Sequence, residues 1–214
     1  KKVHSGIFRD GGAGAFSKRR FRDRRKKLMA KEGQLIALTG VPYGPGGKTT
    51  WSYAHSPTYQ EPAMMHLTGI NQNNVILLLD PNSKVSDEIL FVDSKDRVME
   101  FWEGVRFGVG DEQSLKEVRS VTGIQDVRDI RGFKDVLKER FKKQKKKTLG
   151  TLWLEGIQRG KAVSIKTDHN FDFKKKLEGW LRSWKAPKGA LKNIMKNHFE
   201  LRLPLDKYDI ANRS

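Results

Sequence analysis

Met64-Met65-His66-Leu67-Thr68-Gly69-Ile70 and, further on, Trp102-Glu103-Gly104-Val105-Arg106-Phe107-Gly108 are the stretches on which the reading of this chain turns. Two apolar runs of strand length lie between them. Asn74-Val75-Ile76-Leu77-Leu78-Leu79 reads as a central strand and residues 88–92 as its hairpin partner. The join, Asp80-Pro81-Asn82-Ser83, is turn chemistry: Pro presets φ, and Asp, Asn and Ser bond their own backbone. Residues 64–67 read as a short extended piece. Val98, Phe101 and Trp102 fall on one side of a short helix, which predicts that Trp102 anchors the fold.

Working outward, Phe16, Phe21, Leu28 and Met29 recur among many Arg and Lys, a helical pattern that ends near Gly33. Gln34-Leu35-Ile36-Ala37-Leu38 follows as a buried strand. Residues 1–15 are Gly-rich and aperiodic and read as a mobile arm, leaving 16–214 as one domain. Residues 40–62 form a loop rich in Gly and Pro. Further on, residues 96–102 and 113–121 carry short amphipathic helices, and Phe133, Val136, Leu137, Phe141 and Gln144 share a helical face. Residues 151–154 read as a strand. Phe173, Leu177, Trp180, Leu181 and Trp184 form an apolar stripe at helical spacing. Leu191, Ile194, Met195 and Phe199 repeat that stripe, and residues 201–203 read as a last strand. Strands alternating with helices imply an α/β domain around a central sheet.

A chain of 214 residues suits one domain or slightly more. No apolar run approaches the roughly 18 residues a membrane span needs. The absence of Cys excludes disulfides and thiolate metal sites and fits a reducing, cytoplasmic setting. Lys and Arg number 43 against 25 Asp and Glu, a net charge of +18, which points to a polyanion partner. The competing reading is a solvated basic surface. The densest basic run, Lys142-Lys143-Gln144-Lys145-Lys146-Lys147, closes a helix, where cations are favoured, and holds no aromatic residue to stack a base.

Gly40-Val41-Pro42-Tyr43-Gly44-Pro45-Gly46-Gly47-Lys48-Thr49 imitates a phosphate-binding loop, but Pro42 stands where the first glycine of GxxxxGK[ST] is needed. Pro57 and Pro62 then bar the long helix that should follow. His4, His55, His66, His169 and His198 show no metal-ligand spacing. His169 sits at a helix start, which Asp168 or Asn170 would cap.

The order and spacing of these motifs resemble the amino-terminal domain of Xaa-Pro aminopeptidases, in the creatinase/prolidase group of pita-bread metallopeptidases. Residues 21–28 look like that family's first-helix Arg-Arg-x-x-Leu pattern, residues 67–69 like its Leu-Thr-Gly motif, and residues 102–106 like its Trp-x-Gly-x-Arg motif. Tyr59-Gln60-Glu61 stands where the family has an Arg-Gln-Asn/Asp triplet, so Tyr59 replaces the Arg, and His66 replaces a Tyr. The resemblance spans about residues 16–157. It implies a mixed central sheet flanked by helices, of ribonuclease H-like, creatinase/prolidase amino-terminal architecture. It also implies that the catalytic domain follows this one and holds two divalent, manganese-like ions through two Asp, one His and two Glu. No catalytic, cofactor-binding or metal-binding residue is then expected here, and residue 214 falls near the expected junction.

The resemblance further implies partners: the chain's own catalytic domain, neighbouring subunits of a homo-oligomer and, through the parent enzyme, proline-containing peptides. Tyr59, Gln60, His66, Trp102 and Arg106 become candidates for interface or substrate-entrance roles. The alternative is a stand-alone basic module that binds nucleic acid or an acidic protein or peptide.

Overall fold

The computed structural model describes residues 18–42, 60–103, 106–153 and 169–202; for Met99, Trp102, Glu103 and Arg202 it describes the backbone. The sheet is mixed, six-stranded, in the order β4-β3-β2-β1-β5-β6. Its strands are β1 (Leu35–Thr39), β2 (Ile76–Leu79), β3 (Glu88–Val92), β4 (Asp126–Asp129), β5 (Leu149–Thr151) and β6 (Leu191–Asn193). β1, β2 and β3 pair antiparallel, with Ile36 opposite Leu79 and Leu77 opposite Leu90, whereas β4, β5 and β6 join in parallel.

Side chains alternate across this sheet, so each central strand feeds two cores. Ile36, Leu38, Leu77, Leu79, Leu90 and Val92 face one side, beneath Leu28 of α1 (Lys18–Glu32), Met64 and Leu67 of α2 (Pro62–Thr68) and Val118 of α4 (Glu112–Thr122). Leu35, Ala37, Leu78, Ile89 and Phe91 face the other, against Phe133, Leu137 and Phe141 of α5 (Phe133–Lys143) and Phe173, Leu177 and Leu181 of α6 (His169–Ser183). Burial on both faces explains why these strands read as unbroken apolar runs.

Four local expectations are corrected. Residues 64–67 lie inside helix α2: Pro62 starts it, the Glu61 carboxylate accepts from the Met64 N–H at 2.9 Å, and Gly69 closes it at φ 73°. Seven residues give too short a period to tell helix from strand. β5 begins at Leu149, two residues before the expected start at 151. β4 was not expected at all, because Asp126-Val127-Arg128-Asp129 carries no apolar run; an edge strand can be polar and still pair, here with β3. At the C-terminal end, Leu191–Asn193 is strand β6, and Leu201 belongs to helix α7 (Met195–Arg202) in place of a last strand.

A fifth correction concerns α3 (Arg97–Glu103). Val98 is 70% exposed and Phe101 79%, so these two side chains, expected in the core, are turned to solvent. The Trp102 side chain lies outside the described residues, as do the arm at 1–15, the Gly-Lys-Thr loop, Tyr59, His4, His55 and Asp168. No helix among the described residues is long and apolar enough to cross a membrane.

Candidate functional site

The site is built from two stapled turns and the helix that lies across them. α2 and α4 end alike. Thr68 Oγ1 donates to the Met64 carbonyl and accepts from Ile70 N–H at 3.1 Å; Thr122 Oγ1 donates to Val118 and accepts from Ile124 N–H at 3.0 Å. In each case the next residue is a left-handed glycine, Gly69 or Gly123. The Leu-Thr-Gly stretch is therefore one of two Thr-Gly-Ile helix stops in the chain. Both threonines are fully buried.

α1 packs over both stops. A side chain at Gly69 would meet the Phe21 ring at 2.4 Å, and one at Gly123 would approach Lys18 Cβ at 3.3 Å. The two arginines of the first-helix pattern read the α2 terminus. Arg25 Nη1 donates to the Leu67 carbonyl at 2.7 Å and Arg24 Nη1 to the His66 carbonyl at 3.3 Å. Cations suit a helix C-terminus, where the last carbonyls lack partners. Arg25 is fully buried and is neutralised by Glu88 of β3 at 2.8 Å.

Gln60 is the second hub. Its Oε1 accepts from Val41 and Glu61 N–H, and its Nε2 donates to the Gln72 carbonyl at 2.6 Å. The Gln72 side chain makes a two-way bond with Phe107: its Nε2 donates to the carbonyl at 2.9 Å and its Oε1 accepts the N–H at 2.7 Å. Glu100 accepts from Arg106 N–H at 2.8 Å and pairs with Lys95, which donates to the Arg106 carbonyl. Gly108 N–H is held by Ser114, and Asp111 caps α4 through Ser114 N–H. The segment entering and leaving residues 104–105 is thus pinned at its ends, while α3 presents Val98 and Phe101 outward.

Below this segment, Asp129 at the end of β4 accepts from Arg131 and from Ser94 Oγ. The Arg131 hydrogen bonds, outweighing desolvation, hold its carboxyl well below the usual carboxylate range. Asp126 is pulled up by burial, but the adjacent Arg128 guanidinium prevails and lowers it.

Of the expected residues, Gln60 and the backbone of Arg106 therefore meet in one network through Gln72 and Phe107. His66 does not: its ring lies edge-on to His198 of α7, 5.8 Å between centroids. Glu88, Gln72 and Glu100 were not singled out from sequence, because the groups they bond, the Arg25 guanidinium and the backbone of Phe107 and Arg106, are brought near only by the fold. Among the described residues no group of three or more His, Cys, Asp or Glu could hold a metal ion.

Residues 21–149 match the family model of the aminopeptidase P N-terminal domain. The chain belongs to that family. Comparison with curated protein sequences finds no significant match. Among solved structures, aminopeptidase PepP of Pseudomonas aeruginosa is 18% identical with a TM-score of 0.68, over 91% of this chain and 40% of the other. A Bacillus anthracis structure described as an aminopeptidase P gives 20% and 0.69, over 91% of this chain and 42% of its own. Escherichia coli aminopeptidase P with the inhibitor Pro-Leu gives 18% and 0.63, over 91% and 40%. The aminopeptidase P N-terminal fold is shared with these structures, and this chain spans about two fifths of their length.

Proposed function

We propose that this chain serves as the non-catalytic amino-terminal domain of a Xaa-Pro aminopeptidase-like protein, whose catalytic domain releases the residue preceding a proline. In this reading α3 and the pinned segment behind it form a contact surface for the catalytic domain of its own or a neighbouring subunit, beside the substrate entrance. The observation that carries it is the pair Val98 and Phe101. A helix that exposes most of Val98 and Phe101, on a base fixed by Gln72, Glu100 and Lys95, has the form of an interface element. The two divalent ions would be held by the catalytic domain, where they would supply a metal-bound hydroxide. This reading assigns no metal ligand and no step of the hydrolysis to the described residues, among which no group of three or more His, Cys, Asp or Glu could hold a metal ion.

The test is made in the protein that includes the catalytic domain. Val98→Ser with Phe101→Ser should shift the assembly toward smaller species in sedimentation velocity and raise KM for Xaa-Pro peptides. Unchanged sedimentation and unchanged KM would refute the proposed surface.

A further inference from the structure

We infer that the α5–α6 face binds single-stranded nucleic acid, a function separate from peptide handling. The basic run at 142–147 contains no aromatic residue, yet the fold brings two tryptophans beside it. Trp184 packs on Phe141 at 6.2 Å between ring centroids, at the end of α5 where the run begins, and stacks on Trp180 at 6.3 Å and 23°. Both indoles are only half buried, so part of each is open to solvent. Lys134 of α5 and Lys176 of α6 hold their ammonium groups over the Trp180 ring, 5.7 and 5.4 Å from its centroid, and are themselves exposed. Residues 133–147 and 169–188 together carry 14 Lys and Arg against four Asp and Glu. Three of those acids are engaged locally by Lys143, Lys174 and Lys175.

Charge alone would attract any polyanion. Adjacent indoles flanked by lysines add a preference, because only a single strand offers base faces to stack while its phosphates meet the cations. A duplex hides those faces, and an acidic peptide has none.

The full chain is titrated into labelled oligothymidylate of about twelve nucleotides, an abasic strand of equal length, and a duplex of equal phosphate count. Anisotropy should show oligothymidylate bound about tenfold tighter than either control, with quenching of tryptophan fluorescence. Lys134→Glu with Lys176→Glu should lower that affinity about tenfold. The same charge change on α1, Arg22→Glu with Lys26→Glu, lies in an open basic cleft with no aromatic lining and should lower it less than about threefold. Trp184→Phe, which keeps a ring on Phe141, should reduce the quenching. Equal binding of the three strands, equal losses from the two lysine and arginine pairs, or equally tight binding of polyglutamate would overturn the proposal in favour of bulk attraction.

Discussion

At the residue scale, the side chains that place this chain in its family act mainly on backbone. Arg25 is the clearest case. It is fully buried, bonds the Leu67 carbonyl and faces Glu88. Removing one partner of such a pair strands the other charge in the interior, so Arg25→Met should cost about 3–5 kcal/mol. Replacing both, Arg25→Met with Glu88→Leu, should recover much of that, since a buried pair is often little better than apolar residues of similar volume. Urea unfolding of the two variants against the parent decides it, and equal loss in the single and double variants would refute the account. Glycines separate in the same way. Gly33 and Gly69 both have positive φ, but only Gly69 has the Phe21 ring against it. Gly33→Ala should cost about 1–2 kcal/mol, the left-handed penalty alone, and Gly69→Ala distinctly more. The Arg-Arg-x-x-Leu pattern was legible in sequence, but its target was not, because the α2 carbonyls lie 42 positions further along the chain.

At the element scale, what could be read in advance follows burial. β1, β2 and β3 are apolar on both faces, and α5 and α6 carry stripes long enough to show a helical period, so all five were legible. α2 was not, since its seven residues are set by caps more than by period: Glu61 at one end, Thr68 and Gly69 at the other. β4 was invisible because its ladder partner, not its composition, makes it a strand. α3 was seen as a helix, but Val98 and Phe101 were placed in the core and are exposed. Its spacing is amphipathic, and a single sequence does not say whether an apolar face meets the chain's own core or another surface. The structure leaves Phe101 mostly in solvent, so Phe101→Ser in this chain should change stability by no more than about 0.5 kcal/mol. Phe91→Ala, removing a fully buried ring of β3, should cost about 3–5 kcal/mol. Comparable losses in the two variants would return α3 to the core.

At the scale of the whole molecule, charge sets the response to acid and salt. A net charge of +18 at pH 7 means self-repulsion in the compact state. Several carboxylates work against it locally. Asp129 and Asp126 are held below their ordinary values by Arg131 and Arg128, and exposed Glu139 and Glu200 by Lys143 and Lys31. A carboxyl with a depressed folded pKa stabilises the fold above its unfolded value, near 4, and that contribution is lost as pH falls through the folded value. Protonation also removes negative charge while every Lys and Arg stays charged, so repulsion grows just as the ion pairs fail. The melting temperature should therefore be level near neutrality and fall below about pH 4. Added salt should raise it, and more so in acid, because screening relieves repulsion over about 10 Å at 0.1 M. Asp129→Asn should flatten part of the acid limb, since that variant has no carboxyl to protonate. Thermal melts from pH 7 to 3, at low and moderate salt, check both signs. A melting temperature that salt lowers at pH 7 would mean that attractive pairs outweigh the excess of positive charge.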